Sequence, residues 1–188
     1  ILQSEIKVVK MSYEEANQVL KEDQALSKLN ALAEFHKAFR NNNGAIKLDL
    51  PNVDVKFKNK KVDIQIQTES ASRKLVAEMM VIAGRAIAQF ANENKISMPF
   101  LTQEVGSFSG EIIENKENLT ATQAFQATRC FKQSKITPKA SLHSGLGLSS
   151  YIRVTSPIRR YLDLLTQQQL VRFINNQTIL DDTKVKQR

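Results

Sequence analysis

Tryptophan is absent from this sequence, and it has only one cysteine, six glycines and four prolines among 188 residues. The single cysteine, Cys130, excludes a disulfide scaffold and a cysteine-based zinc site, and it suits a reducing compartment such as the cytoplasm. Scarce Gly and Pro argue against collagen-like, linker-rich or turn-rich all-β chains and favour a large share of helix. No apolar run approaches the roughly 18 residues that a membrane-spanning helix needs, so the sequence predicts no membrane partner.

The composition is that of an ordinary globular domain, with 41% hydrophobic and 24% charged residues. Lys and Arg together number 27 against 19 Asp and Glu, which gives a formal net charge of +8. A basic domain of this size is a candidate for binding nucleic acid or another polyanion, although a merely soluble basic surface explains the charge equally well. Because the sequence begins with Ile1 and not Met, we expect it to be a piece of a longer protein.

Apolar spacing divides the chain into helical and extended segments. Spacings of three and four residues predict helices from Ser12 to Leu20, from Leu26 to a stop at Arg40–Gly44, and over 70–94, 120–133 and 156–176. Apolar–polar alternation predicts a three-stranded antiparallel meander between Ala45 and Gln67, and brief strands within 1–10 and 150–154. The expected class is α+β, helix-dominated with a short meander, with a domain over 1–176 and a polar tail over 177–188, frayed after residue 180.

The segment from Thr155 to Asp163, with the sequence TSPIRRYLD, holds the most informative charges. Ser156 suits the N-cap and the following Pro the first helical position, which places Arg159 and Arg160 in the first turn. Two cations there oppose the helix dipole unless an anion binds, and backbone N–H groups together with guanidinium groups form a phosphate site. The alternative is a solvated ion pair with Asp163. Since one carboxylate cannot offset both arginines, the pattern favours phosphate binding.

The helix that follows carries apolar residues on several sides, which is typical of a helix inside a domain. Its first turn would then lie in a partly enclosed cleft. The residues behind this prediction are Ile158, Tyr161, Leu162, Leu164, Leu165, Val171 and Phe173.

Two further candidates each have a plain structural alternative. Glu78 lies at the edge of the apolar face of helix 70–94, where it can accept hydrogen bonds from sugar hydroxyls or pair with Lys74. His143 precedes Gly145 and Gly147, which let a backbone approach a ligand or simply form a turn. No cluster of closely spaced carboxylates suggests a two-metal hydrolytic centre, so we assign no metal ligand in this chain.

Four blocks of this sequence, in order, resemble the ribonuclease II / ribonuclease R family, the RNB catalytic domain. The most specific is TSPIRRY with Asp163, preceded by His143-x-Gly-Leu-Gly-Leu and Tyr151. The helix segment LVAEMM followed by Ala83 resembles that family's Leu-Ile-Glu-Glu-x-Met-x-x-Ala-Asn helix. Gly44-Ala-Ile resembles its Arg-Gly-Ala-Ile segment, and Ser12-Tyr-Glu-Glu resembles its Ser-Tyr-x-x-Val-Asn segment.

The resemblance implies processive 3′→5′ hydrolysis of single-stranded RNA to nucleoside 5′-monophosphates with Mg²⁺. Carried over by position, Arg159 would contact the scissile phosphate, and Glu78 would bind ribose near the 3′ end and help to distinguish RNA from DNA. Tyr13 would share that task. The supporting residues of the RNA site would be His143, Arg160 and Asp163.

The sequence also departs from the family. The family's metal-binding aspartates precede all four blocks, so we expect the C-terminal part of the catalytic domain, inactive alone, with the missing N-terminal part and an OB-fold RNA-binding domain as its partners. Leu48 stands where the family has an aromatic clamp, and Ala77 replaces the first glutamate of the pair. Thr102-Gln-Glu stands where Arg-x-His is expected. These losses affect catalysis more than RNA binding.

Two other functions stay open at the level of sequence. One is a non-catalytic RNA-binding module, either a degenerate relative or one half of a split protein. The other is a basic protein-interaction domain with no RNA role, against which RNA binding that falls steeply with salt would argue.

Overall fold

The structure is a computed structural model that describes residues 7–45, 52–58, 61–67, 70–107 and 120–187. Within these ranges it is an α+β fold in which helices predominate, as the sequence predicts. The helices are α1 Tyr13–Val19, α2 Gln24–Asn42, α3 Ala71–Glu93, α4 Ala121–Cys130, α5 Tyr161–Ile174 and α6 Asp182–Gln187, with a 3₁₀ turn over Ser144–Leu146. The strands are β1 Asn52–Lys58, β2 Lys61–Gln67, β3 Phe100–Thr102 and β4 Lys135–Thr137.

Side-chain caps fix where several helices begin. Ser12 and Glu15 form a reciprocal capping box at the start of α1, as their spacing predicts. Thr120 and Gln123 do the same for α4. The Ser70 hydroxyl accepts from the N–H of residue 73 and opens α3, so the predicted helix 70–94 is confirmed within a residue at each end.

Helix α3 contributes side chains to both apolar clusters of the described structure. Its second half carries Ala88 and Ala91 into the larger apolar cluster, and its first half carries Leu75 into a smaller one. Strand β3 pairs antiparallel with β4, and Phe100 of β3 also forms an isolated bridge to Ile152. The larger cluster comprises Ala88, Ala91, Ile96, Met98, Phe100 and Ile152; the smaller comprises Leu20, Ala33 and Leu75.

Strands β1 and β2 form an antiparallel hairpin within the predicted meander. Val53 pairs with Ile66, Val55 with Ile64, and Phe57 with Val62. Because side chains alternate along a strand, these pairs share one face. The described side chains on that face are all exposed. The third predicted strand, over 46–50, lies outside the described residues.

The structure corrects four other details. Residues 7–10 form no strand, and the predicted strand 150–154 is reduced to the bridge at Ile152. Strands β3 and β4 were not predicted. The segment after residue 180, expected to fray, contains helix α6, and Val185 on that helix is buried. The buried Gln169 amide holds the approach to α6 through hydrogen bonds with the backbone of Leu180.

The predicted helix over 156–176 is shorter, and it is not enclosed on all sides. It begins at Tyr161, with Arg160 at the N-cap in an extended conformation. Leu165 is buried, but Ile158 ahead of the helix is fully exposed. The outward side chains of α5 therefore belong to a helix on the rim of this structure, and they include Tyr161, Leu164, Val171 and Ile174.

No helix in the described ranges has the length and apolarity needed to span a bilayer.

Candidate functional site

Glu78 forms the centre of a buried ion-pair network between α2 and α3. Its Oε1 accepts hydrogen bonds from His36 Nδ1 at 2.6 Å and from Arg40 Nε at 2.8 Å. Its Oε2 accepts from Arg40 Nη2 at 2.6 Å. The Arg40 guanidinium thus binds the carboxylate through two parallel bonds, the geometry that gives such pairs their strength. The pairing with Lys74 considered from sequence is not the one that holds Glu78.

Opposing effects act on the Glu78 carboxyl. Burial disfavours its charged form, but the hydrogen bonds and positive charge of Arg40 and His36 outweigh burial and hold its pKa below the usual value. Glu78 is therefore a carboxylate at neutral pH. Three of its roughly four acceptor positions are filled, which leaves one position on Oε2.

Arg40 also connects this network to the 3₁₀ turn that follows His143. Its Nη1 donates to the Leu146 carbonyl oxygen at 3.3 Å. Gly147 lies at the same contact with a left-handed φ of +63°, and a Cβ there would collide with the Arg40 carbonyl oxygen. Glycine at position 147 is therefore what lets the turn approach the end of α2 so closely.

A second buried carboxylate organises the segment that carries the two arginines. Asp163 Oδ2 accepts from the Ser156 backbone N–H at 2.8 Å and lies 2.8 Å from Arg160 Nη2 and 3.1 Å from Arg160 Nε. Asp163 is fully buried, and its Oδ1 has no hydrogen-bond partner in the described structure. A single carboxylate oxygen therefore fixes both ends of the turn 156–160.

This turn replaces the helix start expected from sequence. Ser156 is not the N-cap, because the helix begins only at Tyr161 and the chain leaves the turn in an extended conformation at Arg160, which is the N-cap. The Ser156 N–H is bound by Asp163. Arg159 consequently lies in the turn, not in the first helical turn. The dipole argument for these arginines is wrong in that respect, but the ion-pair argument identifies the partner: Asp163 neutralises Arg160.

Arg159 is presented outward by the turn. It is exposed, and its guanidinium makes no ion pair or hydrogen bond to any residue that the structure describes. Backbone bonds from the N–H groups of Arg159 and Arg160 to the Ser156 carbonyl keep the turn closed. The site thus offers an unneutralised guanidinium on a fixed mount.

The rings of Tyr151 and His143 pack against each other. Their rings meet edge to face with centroids 5.7 Å apart. Burial raises the pKa of the Tyr151 hydroxyl, whereas the charges of Arg153, Arg160 and Arg40 act in the opposite direction. Burial lowers the pKa of His143, and the charge of Arg153 lowers it further, so the imidazole is neutral at pH 7.

Close packing fixes Tyr151 against α3. A Cβ at Gly84 would collide with the Tyr151 ring and with the Ile152 carbonyl oxygen. Glycine at position 84 therefore allows the ring to lie on the helix backbone. The Tyr151 hydroxyl is within electrostatic range of arginines from both networks.

Tyr13, the remaining residue singled out from sequence, lies near the start of α3. Its carbonyl oxygen accepts from the Ser72 hydroxyl at 2.9 Å, and the Arg73 guanidinium lies 4.4 Å above its ring centroid. Glu78 is five positions after Arg73, about 7.5 Å further along the axis of α3. Tyr13, on α1, therefore lies beside the start of the helix that carries Glu78, and Arg73 covers one face of its ring.

The described residues do not fit a Mg²⁺ site. Among them, no group of three or more His, Cys, Asp or Glu side chains is placed to hold a metal ion. The two carboxylates of the site already have protein partners: Glu78 binds Arg40 and His36, and Asp163 binds Arg160.

Sequence reasoning missed His36 and Arg40. Both lie on α2 four residues apart, a spacing that places them on one helical face, and this was the available signal. Nothing local connects that face with Glu78, which is 38 residues from Arg40.

Comparison with known proteins gives a consistent result. The model of the RNB domain family matches residues 2–176. An uncharacterised ribonuclease of Synechocystis sp. is 32% identical over 179 residues, covering 90% of this chain and 26% of the relative. The chloroplastic/mitochondrial ribonuclease II of Arabidopsis thaliana is 23% identical, covering 87% of this chain and 22% of the relative. The chain thus spans about a quarter of the length of these curated relatives.

Solved structures share the fold at low sequence identity. Mycoplasma genitalium ribonuclease R in complex with ribose-methylated single-stranded RNA superposes with a TM-score of 0.75 at 18% identity, covering 93% of this chain and 34% of that one. Yeast Ssd1, described as a pseudonuclease, superposes with a TM-score of 0.67 at 16% identity, covering 93% of this chain and 26% of that one. The fold is therefore found both in a ribonuclease and in a protein described as a pseudonuclease.

Proposed function

Since this chain belongs to the RNB domain family, we propose that it forms part of a 3′→5′ exoribonuclease that hydrolyses single-stranded RNA to nucleoside 5′-monophosphates. Its share of the work is to bind phosphate and ribose. The family match over 2–176 and the ribonucleases among its relatives support this proposal.

The observation that carries the proposal is the turn fixed by Asp163. Arg159 and Arg160 follow Ser156 in this turn, and their contacts differ: Arg160 pairs with Asp163, and Arg159 has no partner among the described residues. A guanidinium held in this way suits the scissile phosphate, since preorganised donors stabilise charge that develops in the transition state. Arg160 and Asp163 are then positioning residues for Arg159.

Glu78 is the ribose-reading candidate within the same proposal. Its remaining acceptor position on Oε2 can receive one ribose hydroxyl, while Arg40 and His36 keep it ionised and fixed. A hydroxyl-reading group discriminates against deoxyribose because its own polar atom is left unpaired when the hydroxyl is missing. Tyr13 and His143 would complete the RNA contacts.

Hydrolysis in this family would use Mg²⁺, and we propose that the ligands lie outside the described residues. The bound ion would supply the activated water that attacks the phosphate. The residues described here bind and orient the strand, so no step of the chemistry is assigned to Glu78 or Asp163. The OB-fold domain and the remaining part of the catalytic domain are proposed as intramolecular partners on the same grounds.

The second candidate function is a non-catalytic RNA-binding module. The observation that favours it is the likeness to Ssd1, because the same fold occurs in a protein described as a pseudonuclease.

We also propose a cytoplasmic location, which the single free cysteine and the basic, globular composition support.

Substitution of Arg159 in the full-length protein tests the main proposal. Arg159→Ala should lower the single-turnover rate constant by at least about 10²-fold, the scale typical of losing one transition-state donor, with a smaller change in RNA affinity. Arg159→Lys keeps the charge but not the fork-shaped guanidinium, so it should restore only part of the rate.

Asp163→Asn provides the control for a structural role. It weakens the turn and should lower the melting temperature, whereas Arg159→Ala should leave the melting temperature unchanged because Arg159 has no protein partner in the described structure. A folded Arg159→Ala enzyme with near-normal kcat would contradict the phosphate assignment.

A further inference from the structure

Arg153 stands on a backbone that is fixed on both sides. Ile152 before it is fully buried and bridged to Phe100, and the Tyr151 carbonyl accepts from the Leu101 N–H at 2.9 Å. After it, the Val154 carbonyl accepts from the Gln167 amide at 2.9 Å. The Cα of Arg153 is therefore held in place although its side chain is exposed.

Three arginines exert an electrostatic influence on the buried Tyr151 hydroxyl: Arg40, Arg153 and Arg160. Arg40 is paired with Glu78, and Arg160 is paired with Asp163. Arg153 alone of the three has no ion pair or hydrogen bond to any residue that the structure describes. The local charge near Tyr151 thus contains one cation that no described residue neutralises.

The position of Arg153 relates it to the candidate site. Arg153 lies two residues after Tyr151, just beyond the bridged Ile152. The charge of Arg153 acts on the Tyr151 hydroxyl and on the buried His143 ring. A cation next to the low-dielectric interior keeps more of its attraction for an anion than one surrounded by water.

We propose that Arg153 binds a phosphate of the RNA strand other than the one assigned to Arg159. This inference rests on the proposed function, because it assumes that the anion is single-stranded RNA. Arg153 then acts as a second backbone anchor: it adds affinity and fixes the path of the strand past Tyr151 and His143. Phosphate contacts of this kind position a strand without reading its sequence.

The competing explanation makes Arg153 an ordinary solubilising residue. The salt dependence of binding separates the two, because each phosphate neutralised on a single strand contributes about 0.7 to the slope of log K against log salt. A residue that merely adds general positive charge changes this slope little. Arg129, exposed on α4 and also without a described partner, is the matched control for loss of one positive charge.

The experiment measures fluorescence anisotropy of 5′-fluorescein-labelled A12 RNA with the 188-residue chain in KCl from about 50 to 300 mM, with EDTA present to prevent hydrolysis. Arg153→Gln should reduce the slope by about 0.7 and weaken binding about 3- to 10-fold at 100 mM salt. Arg153→Lys should keep most of the slope. Arg129→Gln should behave like the unsubstituted chain.

The His143 ring provides a second readout that does not depend on affinity. The chain has two histidines, so their ring signals are readily followed by NMR. Burial is the main cause of the lowered pKa of His143, and the charge of Arg153 lowers that pKa further. A phosphate on Arg153 would cancel this second contribution, so saturating A12 should raise the pKa of His143. In the Arg153→Gln chain the pKa should already be raised, and A12 at saturation should change it less.

The outcomes distinguish the inference from the function on which it rests. If the unsubstituted chain binds A12 with a steep salt slope, but Arg153→Gln matches Arg129→Gln in both slope and His143 response, Arg153 is no anchor and the proposed function stands. If the unsubstituted chain shows no salt-dependent binding of A12, both the proposed RNA role and this inference are overturned. A reduced slope together with a smaller His143 response supports the anchor.

Discussion

At the scale of single residues, the site is a distribution of charge between paired and unpaired arginines. Glu78 neutralises Arg40, and Asp163 neutralises Arg160, each through more than one contact. Arg153 and Arg159 have no such partner in the described structure. The two carboxylates therefore fix Arg40 and Arg160 in position. The unpaired guanidinium groups of Arg153 and Arg159 are the ones to which the proposals above assign phosphate binding.

Glu78→Gln should destabilise the chain in a pH-dependent way. Removing one partner of a buried ion pair costs about 3–5 kcal/mol, because the other charge remains buried and unpaired. The folded pKa of Glu78 is lowered, so its stabilising contribution is present above the unfolded value of 4.5 and is lost as pH falls through the folded pKa. Urea unfolding at pH 7 and in acid should show the difference between the two chains shrinking on acidification. A difference independent of pH would contradict the ionised network.

The same position also governs discrimination between sugars if Glu78 reads ribose. In the full-length protein, Glu78→Ala should narrow the ratio of rates on matched RNA and DNA oligonucleotides, since the group that rejects deoxyribose is gone. Arg40→Met is the companion variant, because it removes the guanidinium that holds Glu78 in position while keeping the carboxylate itself. Unchanged relative rates with Glu78→Ala would leave Glu78 with a purely structural role.

At the scale of elements, two turns bring the site together. The turn 156–160 is closed by Asp163 from the following helix, and the 3₁₀ turn over 144–146 lies against the end of α2. Neither turn is stabilised by its own residues alone. The turn 156–160 depends on Asp163 of the helix that directly follows it, whereas the 3₁₀ turn depends on Arg40, which is 106 residues from Leu146 in the sequence.

Substitutions at Gly44 and Gly147 distinguish the cost of backbone strain from the cost of close packing where the 3₁₀ turn meets α2. Gly147 and Gly44 both have positive φ, +63° and +85°, so alanine at either carries a backbone penalty of about 1–2 kcal/mol. At Gly147 the new Cβ would also meet the Arg40 carbonyl oxygen and lie 2.8 Å from the Ala45 nitrogen, whereas at Gly44 it meets nothing within 4 Å.

Gly147→Ala should therefore lower the free energy of unfolding by about 3 kcal/mol or more, and Gly44→Ala by only about 1–2 kcal/mol. Urea denaturation of the two variants beside the unsubstituted chain measures this directly. Equal losses at the two positions would mean that the turn can move away from α2 at little cost.

At the scale of the whole molecule, excess positive charge accompanies exposed apolar side chains. The net charge is +8, and the described apolar side chains on one face of the β1–β2 hairpin are exposed, as is Ile158 at the tip of its turn. A globular chain usually covers contiguous apolar surface of this kind. The charge is compatible with RNA binding, and a merely soluble basic surface explains it equally well.

The whole-molecule prediction is that this chain alone does not degrade RNA. Its two site carboxylates are engaged by Arg40, His36 and Arg160, so they are not free to hold a metal ion that activates water. Incubation with 3′-accessible labelled poly(A) and Mg²⁺ should leave the substrate length unchanged. The Arg159→Ala chain serves as the control for contamination: progressive shortening by the unsubstituted chain but not by Arg159→Ala would contradict the prediction.

Local physics let the sequence determine much of the fold. Helix α3, the capping box at Ser12 and the alternating strands β1 and β2 all follow from spacing and cap chemistry within a few residues of each other. The RNB family also followed from sequence, because its most specific block is a contiguous run beginning at Thr155 and is now matched by the family model.

Tertiary structure alone decided which residues pair with Glu78. Glu78 finds Arg40 and His36 across α2 rather than Lys74 one turn away, because burial makes a bidentate partner worth more than a solvated neighbour. The helix after Pro157 starts later than its cap signals predict, because the buried Asp163 carboxylate takes the Ser156 N–H and holds the preceding residues in a turn. Cap signals act locally, whereas a buried carboxylate must recruit every donor within its reach, and those donors are known only once the chain is folded.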